Sequence, residues 1–243
     1  MAKIRIDILL AEKGLAESRE KAKVLVMAGV VFLNGERVSR ADRVVDEEAA
    51  IEVRGNPLPY VGYGGVKLAE ALKNFGIDVR GKTAVDIGAS TGGFVDCLLQ
   101  AGASRVYAID AGTHQLHEKL RKDPRVVVRE NVNARYLTRE DIGERAGIIT
   151  VDVSFISLKK IIPALLPLLA PGGFLVTLVK PQFEVGRYQV GKGGIVKDEE
   201  RIKAVIDDIR QFGEQSGLRA RGIVEAPREK RRKNKEYFIL WER

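Results

Sequence analysis

Cysteine is almost absent from this chain. Cys97 is the single one in 243 residues, so no internal disulfide can form and the usage suits a reducing cytosol. Histidine is nearly as scarce. His114 and His117 lie three apart with no cysteine or histidine cluster around them, a poor basis for a metal site, and no metal is expected. Long apolar runs are missing too. No segment approaches the roughly 18 residues of a membrane span, and the longest apolar stretch, Ile161 to Leu169, is interrupted by Pro163 and Pro167. The N-terminus lacks an apolar leader. These absences argue against an exported or membrane-inserted protein and for a cytoplasmic one with no membrane partner. Aromatic residues make up 6% of the chain, and neither Trp241 nor the tyrosines form a recognisable stacking platform. Cys97 falls inside an apolar helical stretch, where it reads as a small buried hydrophobe.

Basic residues are plentiful. The net charge is +8, from 41 Lys and Arg against 33 Asp and Glu, which predicts an anionic partner. Residues 1 to 60 hold ten of each sign, so the whole excess lies in residues 61 to 243.

The most informative stretch runs from Ala84 to Phe94, AVDIGASTGGF. An apolar, β-branched run stops at glycines and helical spacing resumes, giving strand, loop and helix start. Such a loop brings backbone N–H groups and a helix N-terminus to a ligand. A dinucleotide fingerprint needs glycine where Ser90 stands, and no Gly-Lys-Ser/Thr follows as a P-loop requires. Asp86 would repel a pyrophosphate but suits an ammonium and a sulfonium, which points to S-adenosylmethionine. A second strand ends at Asp110, 22 residues after Gly88, near the roughly 20-residue offset at which an acid meets ribose hydroxyls. The expected cofactor residues are Asp86, Gly88, Ser90, Thr91, Gly92, Gly93 and Asp110, with Asn131 and Asp152 at later strand ends.

The first sixty residues read as a small module. Apolar residues recur at helical spacing from Ile4 to Glu12, Ser18 can cap a helix to about Ala28, and Gly29 ends it. Val30 to Val38, with Asn34-Gly35 at its centre, reads as a hairpin, and Ala49 to Val53 as a further strand. The order Arg5-Ile6-Asp7, Gly14, Ser18-Arg19, Gly29-Val30-Val31 and Asn34-Gly35 resembles the S4 RNA-binding domain over the whole segment. That resemblance implies RNA contact by Arg5, Arg19, Lys21, Lys23, Arg37 and Arg40. The expected domains are 1–53, a linker at 54–62 where glycine and two prolines interrupt both periodicities, and 63–243.

In the larger region strands and helices alternate. Helices are predicted over 66–75, 93–101, 113–121, 156–169 and 199–215, with strands over 83–87, 105–109, 125–129, 147–151, 173–179, 218–225 and 236–241. Alternation with near-continuous apolar strands predicts an α/β fold whose parallel sheet is covered on both faces, with an antiparallel edge. This matches the Rossmann-like sheet of class I methyltransferases. Ligands bind at the carboxyl ends of such strands, where Asp152 and Lys180 fall. Lys67 sits in the first helix and Glu236 opens the last strand. Methyl transfer to an alcohol requires placing the hydroxyl in line with the methyl and making its oxygen more nucleophilic, and Lys180 could serve as base or as orienting donor.

Taken together, Gly64-Gly65-Val66-Lys67-Leu68, the 86–94 loop, Gln115-Leu116-His117, Asn131 to Arg135, Thr150 to Leu158, Val179 to Glu184 and Lys235-Glu236 resemble the TlyA, or haemolysin A, family. The resemblance implies 2′-O-methylation of a cytidine ribose in ribosomal RNA by an FtsJ-like domain. Its Lys-Asp-Lys-Glu catalytic set falls on Lys67, Asp152, Lys180 and Glu236. The likeness is to the shorter family type, which implies the large-subunit 23S RNA as substrate, with 16S RNA as the other candidate, and a monomer is expected. Two basic segments fit RNA as well: the loop 186–196, with Arg187 and Lys192, and the run containing Arg228, Lys230, Arg231, Arg232 and Lys233. Base methylation is disfavoured by the lack of an Asn/Asp-Pro-Pro-aromatic motif and of a catalytic cysteine pair. A non-catalytic, ribosome-associated RNA-binding protein is the alternative reading, and a membrane-active haemolysin is a third.

Overall fold

The computed structural model describes residues 3–16, 18–27, 29–54, 59–186, 190–191, 193–228 and 233–243. Two compact units divide the chain, Met1–Pro59 and Tyr60–Arg243.

In the small unit β1 (Lys3–Arg5) runs into α1 (Ile6–Glu12), followed by α2 (Arg19–Met27), β2 (Val31–Leu33), β3 (Glu36–Arg37), β4 (Val44–Asp46) and β5 (Ile51–Val53). The hairpin turn is the one the sequence predicts, with Asn34 and Gly35 both at positive φ, as two-residue primed turns require. Ser18 Oγ accepts the Lys21 N–H at the start of α2. Two strands depart from expectation. Ile4 belongs to β1, not to the first helix, because it pairs with Val45 of β4, and β4 itself is a strand that local patterning does not reveal. Ile6, Leu9, Leu10, Ala22, Val26 and Val31 form the core.

The large unit holds α3 (Tyr63–Phe75), β6 (Thr83–Ile87), α4 (Gly93–Gln100), β7 (Arg105–Ile109), α5 (Glu118–Arg121), β8 (Val126–Arg129), α6 (Arg139–Ile142), β9 (Ala146–Val151), α7 (Ile162–Leu165), β10 (Leu169–Val179), α8 (Pro181–Glu184), α9 (Glu199–Gln215), β11 (Arg219–Glu225) and β12 (Tyr237–Glu242). The sheet order is β11-β12-β10-β9-β6-β7-β8. Strands β10, β9, β6, β7 and β8 pair in parallel, while β12 runs antiparallel to both β10 and β11. Helices α3 and α4 cover one face and α7 and α9 the other. Trp241, fully buried, donates its indole N–H to Thr177 Oγ1 at 2.9 Å, and a side chain at Gly213 would strike its ring. After β6 the chain winds outward through β7 and β8, then returns to place β9 on the other side of β6. That reversal is the topological switch point, where ligands bind such sheets.

Two predicted helices shorten. The stretch 113–121 is helical only from Glu118, because the Glu130 carboxylate accepts the His114 and Gln115 N–H groups and holds 112–117 as a loop. The stretch 156–169 breaks into a 3₁₀ turn, α7 and a second 3₁₀ turn, since Pro163 and Pro167 supply no N–H.

Candidate active site

At the switch point β6 runs on into Gly88, whose φ of +84° admits glycine readily. A Cβ there would lie 2.3 Å from the carbonyl oxygen of Asp152, so the glycine lets β6 and β9 meet without a side chain between them. Ser90 also has positive φ, and its N–H donates to Asp110 Oδ2 at 2.7 Å. Asp110 Oδ1 accepts the Gly112 N–H at the same distance. The acid that ends β7 therefore orders two loops. Gly93 faces the start of α3, where a Cβ would sit 2.9 Å from the Gly65 nitrogen. Facing glycines thus bring the first turns of α3 and α4 together.

Three cavities follow one another along this edge. The largest, about 520 Å³, is walled by Ile109, Asp110, Gln115, Asn133 and Phe155. A second of 190 Å³ lies against Tyr63, Thr91, Gly93 and Phe94, and shares Gly88, Ser90 and Asp152 with the first. A third of 70 Å³ shares Tyr63 with the second and is closed by Lys67, Arg228, Lys233 and Glu236.

The four expected catalytic residues occupy this edge as two ion pairs. Lys180 Nζ lies 2.5 Å from Asp152 Oδ1 and donates to Ser154 Oγ at 3.1 Å. Lys67 Nζ donates to Glu236 Oε2 at 2.6 Å. Strand pairing explains the assembly. Val179 is opposite Tyr237 in the antiparallel β10/β12 ladder, so the residues just beyond, Lys180 and Glu236, are cross-strand neighbours. Asp152 follows the end of β9, where its N–H donates to the Ile87 carbonyl of β6.

Several expected cofactor residues lie elsewhere. Asp86 is 0% exposed, beneath the loop, and lines none of the three cavities. Its Oδ1 accepts the Thr150 hydroxyl at 2.6 Å, and Oδ2 has no hydrogen-bond partner among the described residues. Burial, with the charges of Asp152 and Asp110, pushes its pKa up to about 7. Gly92 packs against Leu116 and Leu120, its φ of +98° starting α4, and lines none of the three cavities. Asn131 sits in a left-handed turn outside the cavities, and Asn133, two residues on, takes the lining position.

Of the basic residues expected to meet RNA, Arg5 and Arg19 both bond the buried Asp7 carboxylate, Arg40 pairs with Asp42, and Lys23 lies 4.0 Å from Glu20. Arg37 lays its guanidinium over Gly29, where no side chain would fit. Lys21 starts α2. Arg228 and Lys233 line the small cavity. Arg187, Lys192, Lys230, Arg231 and Arg232 lie outside the described residues.

Phe155 is a site residue that sequence reasoning missed. It is 91% exposed, has a φ of +63°, and contacts Phe183 at a ring distance of 4.8 Å. Its nearest sequence signal is its place three residues past Asp152. Among the described residues no cluster of His, Cys, Asp and Glu could hold a metal ion, and no helix is long and apolar enough to cross a membrane.

The FtsJ-like methyltransferase family model matches residues 60–243 and the S4 domain model residues 4–51. YqxC of Bacillus subtilis is 48% identical over 226 residues, 93% of this chain and 80% of its own length. TlyA of Mycobacterium tuberculosis, named a 16S/23S rRNA (cytidine-2′-O)-methyltransferase, is 44% identical over 239 residues, 98% of this chain and 88% of its own. A solved structure of a protein named as a hemolysin, from Streptococcus thermophilus, is 42% identical with a TM-score of 0.77, covering 100% of this chain and 89% of the other. Fold and site together define a methyltransferase with an S4 domain attached. More narrowly, the chain belongs to the TlyA group of the FtsJ-like methyltransferase family.

Proposed function

We propose that this protein methylates the 2′-hydroxyl of a cytidine ribose in ribosomal RNA, using S-adenosylmethionine, with large-subunit 23S rRNA as the substrate. The carrying observation is the pairing of Lys180–Asp152 with Lys67–Glu236 directly beside a glycine cradle and its cavities. Asp110 and Asn133 in the large cavity suit a nucleoside, and Gly88 and Gly93 leave backbone-lined space for the rest of the cofactor. When bound there, S-adenosylmethionine supplies the electrophilic methyl.

The chain's own residues then have one task, to aim and activate a hydroxyl. Lys180 is held by its ion pair with Asp152 and its hydrogen bond to Ser154, which fixes the ammonium where it can meet the 2′-oxygen. Asp152 and Glu236 are the carboxylates in the cluster able to take the proton that the hydroxyl sheds. Arg228 and Lys233, beside the Lys67–Glu236 pair, suit a phosphate of the substrate strand. Phe155 offers an exposed ring to a base unstacked from the RNA.

The test is transfer of labelled methyl to isolated ribosomal subunits and rRNA, mapped by resistance of the modified ribose to alkaline hydrolysis. Expected is incorporation at one cytidine of the large subunit. Lys180→Ala should lower the rate by about 10³-fold with cofactor affinity kept, and Lys180→Arg should not restore it, because the planar guanidinium cannot reproduce the three-way grip. No incorporation into any subunit, with cofactor bound, would return the protein to the non-catalytic RNA-binding reading.

A further inference from the structure

The loops that follow β9 and β10 are joined by contacts that reach beyond the expected catalytic quartet. Residues 152–158 and 180–184 are linked through Lys180 to Asp152 and Ser154, through the Phe155–Phe183 ring contact, and through Glu184. Glu184 Oε1 accepts the Leu158 N–H at 2.9 Å, and the Ser157 hydroxyl is a second partner. Burial pushes this carboxyl above the ordinary carboxylate range, so the contact is a costly one to build. It grips backbone, and its own helix, α8, is only four residues long, too short to hold itself.

What the grip restrains explains why the cost is borne. Phe155 is in the left-handed region at φ +63°, a strained conformation for a residue with a side chain. At 91% exposure, its ring gains little from core packing to offset that. Such a conformer persists only where the surroundings over-determine it. Upstream, Asp152 is fixed by its backbone bond to Ile87 and its ion pair with Lys180. Downstream, Ser157 and Leu158 begin a 3₁₀ turn whose first N–H is held by Glu184. Phe155 hangs between these two anchors.

We propose that Glu184 is a positioning residue for methyl transfer, one that holds Phe155 in its left-handed conformation at the cavity mouth by gripping Ser157 and Leu158. The inference rests on reading the site as an RNA methyltransferase centre, and it assigns Glu184 no contact with cofactor or reacting atoms. Glu184→Ala should lower kcat for methylation of ribosomal subunits by about 30-fold, with cofactor Kd and KM for RNA within threefold. Glu184→Gln keeps an acceptor for Leu158 and should recover to within about fivefold of the parent. Ser157→Ala, a milder change, should lose about fivefold, and combining it with Glu184→Ala should add little because both remove one grip. Hydrogen exchange in the full chain gives a reading that needs no RNA: the Leu158 amide should exchange at least tenfold faster in Glu184→Ala and near the parent rate in Glu184→Gln. If the parent transfers no methyl while Leu158 shows this pattern, the functional reading fails and the grip stands. Unchanged Leu158 exchange, or a Glu184→Gln variant as impaired as Glu184→Ala, overturns the positioning role.

Discussion

Two aspartates in this protein are 0% exposed, one in each unit, and burial has opposite outcomes for them. Asp7, in the first turn of α1, would be pushed up by desolvation, but hydrogen bonds from Arg5 and Arg19 more than offset this and hold it at about 2. Asp86, at the end of β6, is desolvated with only the Thr150 hydroxyl to help, and rises to about 7. Burial alone does not decide the state of an acid; the company does. In the small unit two basic residues that sequence marks for RNA are spent on one structural carboxylate. In the large unit the acid beneath the site has no cation of its own.

Removing the charge from each separates these roles. Asp7→Asn should destabilise the protein by about 3 kcal/mol, since it breaks a buried ionic cluster, although the partly exposed Arg5 and Arg19 can recover water. The check is a denaturant or thermal transition followed in the full chain. The same experiment on Asp86→Asn should instead raise stability at neutral pH, because Asn keeps an acceptor for Thr150 and removes a buried carboxylate whose ionisation opposes folding. Equal effects from the two changes would break the comparison.

How much of this was legible in the sequence follows the same division between local and distant causes. The glycine loop was readable because a strand, a positive-φ turn and a helix start are written in adjacent residues, and α9 runs over the expected 199–215, where Asp198 caps it by accepting the Glu200 and Arg201 N–H groups. The four residues expected to be catalytic came from family resemblance together with strand ends, and the sheet register explains why those ends meet. The loop 112–117 was not readable, since the Glu130 carboxylate that holds it lies sixteen residues beyond His114. Nor was Ile4 as a strand residue, whose partner Val45 is far along the chain. That Asp86 and Asn131 line none of the three cavities was not readable for a subtler reason. Both are polar residues at or near strand ends, yet which side of the loop each faces depends on turn geometry that spacing does not encode.

The finest test of the comparison is the pH dependence, where the two acids should act in separate windows and with opposite sign. Asp7 has a folded pKa below its ordinary 3.8, so the unfolded chain binds the proton more readily. Its contribution is complete above about pH 4 and is lost as pH falls from there toward 2. Asp86 has a folded pKa above 3.8, near 7, so the folded chain binds the proton more readily. It costs nothing below about pH 4, and its ionisation erodes stability as pH rises from 4 to 7, beyond which the loss is constant. Denaturant midpoints measured from pH 2 to 8 should therefore change slope in each variant over one window only. Asp7→Asn should flatten the acid limb and leave the limb from pH 4 to 7 intact, and Asp86→Asn should do the reverse. A parent whose stability rises between pH 5 and 7 by the same amount as in Asp86→Asn would mean that the unpaired oxygen of Asp86 has found a partner in solution, and that the contrast between the two buried acids is smaller than their surroundings imply.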